Sequence, residues 1–452
     1  MRRINRRKRI NRSKPITRIQ TRTLRMLLII LALSMMTNIA VIATLILQNR
    51  QPEAKSVTNL SQSLAPTGLD TEKQTISSTP VITPEPTMEP PRTATISFTG
   101  DLMVHSYQYE AAYDANTGIY DFSNNFTRVK KYFDKADYVV GNLETTLGGE
   151  EIGIKDYPCF NSPDSFAETL KEAGFDFLST ANNHCVDQGT KALCRTIDVL
   201  DSLGFDHAGT YQTNQDNQEI FTTTINGITV AFLSCTYATN GIPYENDYNV
   251  QLLDDGFYKK IRKAKTQADF VIALPHNGTE YAQTPSETYK QQYKKMLECG
   301  ADAVIASHPH VLQPMEYQTI TEKDGSTRTG FIMYSMGNFI SSQVTKPRDA
   351  GTILTLTICK DEEKGSYIDD ISVVPTWCRF TDANGQRNFT VFSVYDVLHM
   401  KEEKRRSLIR DSDYNRILQI QTESTETMLG KPIDVQHAKK SYTFQQSKDN
   451  FN

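Results

Sequence analysis

The chain has 452 residues, a hydrophobic fraction of 38% and a formal net charge of -4 at pH 7, which predicts one dominant globular domain. The charge is uneven, because the first 25 residues hold eleven Arg and Lys residues and no acidic residue. Such a basic arm can bind nucleic acid, but the apolar segment that follows it argues against nucleic acid as a partner.

Residues 26–47 predict a transmembrane helix. These 22 residues carry no charge and are rich in Leu, Ile and Met, which is enough helix to cross a hydrocarbon core of about 30 Å. A cleaved signal peptide is the alternative, but the apolar stretch is longer than the usual core of about 7–15 residues and no small-x-small cleavage site follows. We therefore expect an uncleaved signal anchor in the cell membrane. Residues 1–25 would be a basic cytoplasmic tail, and the large domain would be extracellular.

Residues 48–93 predict a disordered stalk, since they are rich in Pro, Thr and Ser and poor in large apolar side chains. The ordered domain is expected over residues 94–430, and residues 431–452 are expected to form a flexible tail. Seven cysteines lie in the outward part, and an odd number leaves at least one thiol unpaired in a monomer. Cys185 and Cys194 are a candidate pair, and buried free thiols are the alternative.

Strands and helices alternate along the predicted domain, which indicates a layered α/β architecture. The predicted strands are 94–99, 138–141, 175–179, 219–225, 228–234, 270–275, an apolar run from 302, 311–319, 330–334, 353–358 and 368–374. The predicted helices are 126–136, 165–173, 189–203, 256–266, 285–299 and one or two within 402–429. Asn226-Gly227 predicts a hairpin turn between two of the strands.

Side chains that can bind metals recur where predicted strands end. They are Asp101, Glu144, Asn183 with His184, His276, and His308 with His310. Because successive parallel strands end at one edge of a sheet, groups distant in sequence can meet there. Carboxylate, amide and imidazole together suit manganese, iron or zinc, and the number of groups is right for two divalent ions about 3.5–4 Å apart.

Each of these residues also has an ordinary structural interpretation. Asp101 can cap a helix, Glu144 can be a solvated loop residue, Asn183 can be a turn residue and His276 can be a buried structural histidine. The segment His308-Pro309-His310 favours the metal interpretation, because proline fixes the backbone between two imidazoles just past a buried strand.

Six motifs resemble one known family in their order along the chain. They are Gly100-Asp101-Leu102-Met103, Asn142-Leu143-Glu144, Ala181 to Gly189 with Asn183-His184, His276 to Glu280, His308-Pro309-His310-Val311 and Ser335 to Phe339. This order is similar to that of the CapA-type poly-gamma-glutamate capsule biosynthesis proteins, which are similar to the calcineurin-like metallophosphoesterases. The resemblance implies a β-sandwich flanked by helices and a site for two metal ions.

The resemblance also assigns roles to individual residues. It implies Asp101 as the first metal carboxylate, Glu144 as the bridging carboxylate where phosphoesterases have aspartate, and His184 as the proton donor to a leaving group. The remaining implied metal ligands are Asn183, His276, His308 and His310. Residues expected to orient these ligands or to meet the substrate are Asn142, Asp187, Glu280, Asn338 and His105.

Three positions depart from the pattern of the related families. Met103 stands where phosphoesterases usually have histidine, and the nearest histidine is His105. Glu144 has a longer reach than aspartate, and Asn277 stands where the capsule proteins often have tryptophan. These departures predict that one of the two metal sites is weaker or empty, and that Asn277 reshapes the pocket.

Two functions remain open from the sequence. The first is a membrane-anchored extracellular protein of poly-gamma-glutamate biosynthesis or export, with membrane subunits of a capsule synthase as candidate partners. The alternative is an active metal-dependent phosphoesterase or other hydrolase, in which the ions activate water and His184 protonates the leaving oxygen of a cell-envelope substrate.

Overall fold

The structure is a computed structural model that describes residues 90–445. The predicted cytoplasmic tail, transmembrane helix and most of the stalk lie outside the described residues, as does the end of the predicted tail. None of the helices within residues 90–445 has both the length and the apolar character that crossing a bilayer needs.

The described strands are β1 (Arg92–Leu102), β2 (Tyr113–Asp114), β3 (Ile119–Tyr120), β4 (Tyr138–Leu143), β5 (Phe177–Ser179), β6 (Asp206–Ala208), β7 (Thr222–Ile225), β8 (Ile228–Thr236), β9 (Phe270–His276), β10 (Ala303–Ile305), β11 (Met315–Thr321), β12 (Thr327–Met333), β13 (Asn338–Ile340), β14 (Ala350–Asp361), β15 (Gly365–Thr381), β16 (Arg387–Ser393) and β17 (Tyr442–Thr443). The described α-helices are α1 (Ser106–Ala112), α2 (Lys130–Phe133), α3 (Asp164–Ala173), α4 (Gly189–Ser202), α5 (Asn214–Gln218), α6 (Asp255–Lys265), α7 (Glu287–Glu298), α8 (Val394–Leu398), α9 (Glu402–Leu408) and α10 (Asp411–Leu429).

Most of the strands form two large sheets. The first has the order β16-β15-β14-β1-β4-β5-β6, with β13 paired to the end of β1 and β17 paired to β15, and the second has the order β11-β12-β10-β9-β8-β7. Each sheet contains a parallel part, β1-β4-β5-β6 in the first and β8-β9-β10-β12 in the second. The carboxyl ends of these parallel strands therefore share one edge within each sheet.

The two sheets pack face to face through alternate side chains of their strands. Ile96 and Phe98 of β1 belong to the same buried cluster as Phe232 of β8 and Ile272 of β9. Since neighbouring residues on a strand point to opposite faces, this alternation leaves the outer face of each sheet to be covered separately. The sandwich core is the largest apolar cluster among the described residues.

Helices cover the outer faces of both sheets. Phe166 and Leu170 of α3 pack with Val139 of β4 on the first sheet. On the second sheet, Ile261 of α6 packs with Ala231 of β8, and α7 contributes to the same cluster. The layers are thus helix, sheet, sheet and helix, which confirms the predicted mixed α/β fold.

Several predicted elements differ in extent from the observed ones. The predicted helix over 126–136 is reduced to α2, and the predicted strand over 311–319 begins only at Met315, because the residues before Met315 belong to the loop that follows His310. The sequence pattern did not reveal α1, β6, β13 or β16, which are short or lie between strong turn signals.

The segment after Lys431 is ordered as far as β17, in contrast to the loose tail expected from the sequence. Tyr442 is 4% exposed and pairs with Val373 of β15. Its hydroxyl accepts a hydrogen bond from Gln421 Nε2 at 2.7 Å. The ordered part of the chain therefore extends beyond the expected boundary at residue 430.

All seven cysteines are free thiols, so the candidate pair of Cys185 and Cys194 is not bonded. Burial raises the pKa of the Cys185 thiol to about 12. A thiol in that state is a poor nucleophile, because the thiolate is the reactive form.

Candidate metal centre

The six predicted ligands meet at the edge where the parallel strands of both sheets end. Asp101 lies at the end of β1 and pairs with Asn142 of the parallel strand β4, which places Glu144 just past the same edge. His276 is the last residue of β9, while Asn183, His308 and His310 lie in the loops after β5 and β10. Every one of the six is at most 3% exposed. The structure therefore brings together all the residues that the sequence proposed as ligands.

One group of donors surrounds His276 Nε2. This atom lies 2.7 Å from Asn183 Oδ1, 3.2 Å from His308 Nδ1 and 3.4 Å from Glu144 Oε1. Atoms that bind one ion at about 2.1 Å lie about 3.0–3.4 Å from one another. The spacing of these donors is close to that of a coordination shell.

A second group of donors includes Asp101 and His310. His310 Nδ1 lies 3.0 Å from Asp101 Oδ2, and His310 Nε2 lies 3.8 Å from Glu144 Oε1. Two sets of three residues can each place ligand atoms within 4.8 Å of one another: Asp101 with Glu144 and His276, and Glu144 with His308 and His310. Glu144 belongs to both sets, which is the arrangement that a bridging carboxylate needs.

The environment of the Glu144 carboxylate shows whether a metal ion fits these residues. Both of its carboxylate oxygens are buried and have no hydrogen-bond partner. Burial, together with the nearby charge of Asp101, raises the pKa of Glu144 well above its usual value. A buried carboxylate without a partner is costly, and a bound cation would satisfy it. The residues present thus fit divalent ions in both position and chemistry.

The histidines are in the right protonation state for ligation at one of the two groups. Burial lowers the pKa of His276 to about 3 and the pKa of His308 to about 2. Both imidazoles are therefore neutral at pH 7, which is the form that binds metals. His310 differs. Although burial opposes its charge, Glu144 and Asp101 raise its pKa to about 9.

The backbone of the His308-Pro309-His310 segment is strained. His308 has a φ of 104° and His310 a φ of 59°, both in the region that favours glycine. Gly278 packs against this segment, and a Cβ atom there would lie 2.8 Å from Pro309 Cγ. Strain of this kind persists only where the surroundings fix it, and it is concentrated at functional sites.

His184 forms a buried pair with Asp187 beside the ligands. His184 Nδ1 lies 2.7 Å from Asp187 Oδ2, and the same oxygen accepts a hydrogen bond from the Phe160 backbone N–H at 2.7 Å. Burial opposes the charged imidazole, but the hydrogen bond to Asp187 and the charge of Glu144 prevail and raise the pKa of His184. The pair leaves His184 Nε2 available to donate a proton.

Two predicted neighbours hold ligands in place. Asn142 Nδ2 donates a hydrogen bond to Asp101 Oδ1 at 2.8 Å and lies 3.1 Å from His276 Nδ1. Asn338 Oδ1 lies 3.0 Å from His310 Nδ1. Such contacts fix the orientation of a ligand and the tautomer of its ring.

Two other predicted neighbours do not hold a ligand by a hydrogen bond. Glu280 is exposed, and within residues 90–445 its carboxylate forms no hydrogen bond with a histidine, but its charge opposes the effect of burial on the pKa values of His276 and His310. The His105 ring packs edge-on against Phe160 at 5.0 Å, and its Nδ1 lies 3.2 Å from Gln108 Oε1. His105 belongs to neither set of metal donors found in the described part of the chain.

The sequence did not reveal three residues at the mouth of the site. The Tyr237 ring lies 4.7 Å from the His308 ring, and the Tyr281 ring lies 6.0 Å from the His310 ring. Arg348 places its guanidinium 4.5 Å from the centre of the Tyr281 ring. Tyr281 directly follows the motif that ends at Glu280, which could have indicated it, but no motif contains Arg348.

Two curated relatives are similar to this chain over part of their length. The Capsule biosynthesis protein CapA of Bacillus anthracis is 30% identical over 273 residues, which are 57% of this chain and 62% of that protein. The PGA biosynthesis protein CapA of Bacillus subtilis (strain 168) is 29% identical over 265 residues, which are 57% of this chain and 66% of that protein. The chain thus spans less than two thirds of the length of either relative.

Solved structures also show similarity at a low level. The calcineurin-like phosphoesterase YfkN of Bacillus subtilis has a TM-score of 0.35 and 14% identity, and the match covers 73% of this chain and 99% of that chain. The 5'-nucleotidase of Candida albicans SC5314 has a TM-score of 0.32 and 12% identity, covering 59% of this chain and 51% of that chain.

A family model extends over most of the sandwich and its site. The model of the Bacterial capsule synthesis protein PGA_cap matches residues 95–343, a range that includes all six candidate ligands. Since this range is more than half of the sequence, the chain belongs to the bacterial capsule synthesis protein PGA_cap family.

Proposed function

We propose that this protein acts in the biosynthesis or export of an anionic capsule polymer, with poly-gamma-glutamate as the candidate, through a centre of two divalent metal ions. Membership of the capsule synthesis family and the names of the two CapA relatives support the role. The main support for the metal centre is the environment of Glu144. Its two buried oxygens have no hydrogen-bond partner, although Glu144 belongs to two sets of possible metal donors.

The chain's own residues would hold the ions in two overlapping groups. Glu144 would belong to both groups, one with Asp101 and His276 and the other with His308 and His310. Asn183 Oδ1 lies 2.7 Å from His276 Nε2 and would add an amide donor. Imidazole, amide and carboxylate donors favour manganese, iron or zinc. When bound, such ions would supply positive charge and Lewis acidity to an anionic group of the polymer.

The net charge of -4 is compatible with a polyanionic partner. Asp101 and Glu144 are buried, so they do not present bare charge to a polymer at the surface. Two divalent ions would reverse the local charge of the site. A polycarboxylate can then approach the mouth of the site without facing uncompensated carboxylates.

The location at the membrane is part of the same proposal. The uncharged segment 26–47 and the basic residues before it support a signal anchor with the domain outside the cell. The Pro-rich segment that follows would act as a stalk between the membrane and the site. Other membrane subunits of a capsule synthase are the proposed partners.

Metal content and polymer binding test this proposal in the full-length chain, purified in a mild detergent. We expect about two divalent ions per chain by mass spectrometry, and binding of gamma-glutamyl oligomers that EDTA abolishes. Replacing His308 and His310 together by Ala should remove both the ions and the binding. His437→Ala is the matched control, because this side chain is 75% exposed and far from the donor groups in sequence. Full metal content in the double variant would exclude this centre.

A second candidate function is hydrolysis of a phosphoester, which the His184–Asp187 pair favours. The pair raises the pKa of His184, so the imidazolium form can give a proton to a leaving oxygen. Manganese-dependent cleavage of a generic phosphodiester would support this candidate. Metal-dependent binding of the oligomer without any turnover of either compound would support the first.

A further inference from the structure

The loop that follows β9 holds a tyrosine at the mouth of the metal centre. Tyr281 is 45% exposed, and its backbone N–H donates a hydrogen bond to the Pro309 carbonyl oxygen at 2.8 Å. Its φ of 65° is costly for a residue with a side chain. The backbone of the His308-Pro309-His310 segment thus fixes the position of the Tyr281 ring beside His310.

Arg348 reaches the Tyr281 ring from a different loop, the one between β13 and β14. Its guanidinium lies 4.5 Å from the centre of the Tyr281 ring. Its backbone carbonyl accepts a hydrogen bond from Asn338 Nδ2 at 3.1 Å, and Asn338 Oδ1 lies 3.0 Å from His310 Nδ1. Both partners of the tyrosine–arginine stack are therefore tied to the segment that carries the paired histidines.

Two other charged residues near Arg348 in the same loop are engaged with other charges. Asp349 accepts two hydrogen bonds of 2.8 Å from the Arg416 guanidinium. Lys346 Nζ lies 2.6 Å from Glu423 Oε1. The Arg348 side chain contacts the Tyr281 ring and the Thr345 carbonyl oxygen. Within residues 90–445 it forms no ion pair with a carboxylate. Its position is fixed, while most of its hydrogen-bonding capacity remains for an external anion.

We propose that Arg348, stacked on Tyr281, binds a carboxylate of the gamma-linked glutamate chain next to the group held at the metal centre. This inference rests on the proposed function. A guanidinium matches a carboxylate through two parallel hydrogen bonds, and stacking on an aromatic ring orients its plane. A chain with a carboxylate on every repeat can place one of them at the ions and another on Arg348.

The test compares binding of a gamma-glutamyl oligomer to the metal-loaded, full-length chain and to its variants by calorimetry. Arg348→Ala should weaken binding about tenfold, since it removes a charge-assisted pair. Arg348→Lys should recover part of the loss, because it restores the charge but not the planar fork. Lys346→Ala is the matched control from the same loop and should bind as the unaltered chain does. The metal content of all three variants should be unchanged, because neither residue is a donor.

The outcomes separate this inference from the proposed function. Unaltered oligomer binding in Arg348→Ala would overturn the role of Arg348 and leave the proposed function standing. Inorganic phosphate serves as a second probe. If phosphate binds in an Arg348-dependent manner and the oligomer does not bind, the assignment to gamma-linked glutamate is wrong and so is the proposed polymer. If neither probe binds the unaltered chain, both the role of Arg348 and the proposed function are wrong.

Discussion

The Nδ1 atom of His310 lies 3.0 Å from the Oδ2 atom of Asp101, although 209 positions separate the two residues in the sequence. Asp101 is the second-last residue of β1 in the first sheet, and His310 follows β10 of the second. The contact therefore joins the two sheets at the edge where their parallel strands end. The candidate metal centre depends on how the sheets pack, and not on either sheet alone.

Glu144→Gln should separate the stability of the metal-free protein from its capacity to bind metal. Because both oxygens of the buried carboxylate lack partners, removing its charge should raise the free energy of unfolding of the EDTA-treated chain by about 1–2 kcal/mol at pH 8. The same change should abolish the stabilisation that manganese gives to the unaltered chain. Denaturant unfolding with and without manganese measures both effects. Glu403→Gln, at an exposed position of α9, is the control and should change neither. Equal stabilisation of Glu144→Gln by manganese would contradict the bridging role.

Asp187→Asn should affect proton donation while leaving the metal in place. Asp187 touches His184 and no metal donor, so the metal content should be retained. If the protein turns over a phosphodiester, the rate should fall about 100-fold, because His184 loses the partner that favours its charged form. The basic limb of the pH–rate profile should also move to lower pH. An unchanged profile would show that His184 does not supply the proton.

Metal affinity should rise with pH between 6 and 8. The pKa of His310 is raised to about 9 and that of Glu144 well above its usual value, so protons held by these two groups must be lost when an ion binds, whereas His276 and His308 are already neutral. Each displaced proton increases the affinity about tenfold per pH unit. Manganese titration calorimetry at pH 6, 7 and 8 measures this dependence, and repeating it in two buffers of different ionisation enthalpy counts the protons. A pH-independent affinity would contradict the assignment of His310 as a ligand.

The same pKa predicts how the metal-free protein responds to pH. His310 has a raised pKa in the folded state, so its pair with Asp101 stabilises the fold fully below the unfolded value of about 6.5. That contribution is lost as the pH rises through about 9. The EDTA-treated chain should therefore become easier to unfold above pH 9. Manganese should reduce this effect, because the ion replaces the proton.

Gly100→Ala should damage the site through packing alone. A Cβ atom at Gly100 would lie 1.8 Å from the Gly337 carbonyl oxygen, so β1 and the turn before β13 would have to separate. We expect a loss of about 2–3 kcal/mol in the free energy of unfolding and weaker metal binding through displacement of Asp101. Gly204→Ala is the control, because nothing lies within 4 Å of its Cβ position and only its left-handed backbone is strained. Equal losses in the two variants would exclude this packing effect.

The candidate ligands could be found in the sequence because their signals are local. An apolar run ending in Asp101 or His276 indicates a buried strand with a polar residue at its end, and this pattern needs no knowledge of distant contacts. The ordered strand at Tyr442 was not predicted, since the docking of a terminal strand depends on tertiary contacts.

The sequence by itself determined which kinds of donor stand at the strand ends and therefore the class of ion that they suit. Only the tertiary structure decided that Glu144 lies between two groups of donors, and that Tyr281 and Arg348 stand beside His310. The physical reason is that these contacts form across two sheets and the loops that follow β4, β9, β10 and β13. Their geometry is set by the packing of the sandwich, which no local pattern of residues encodes.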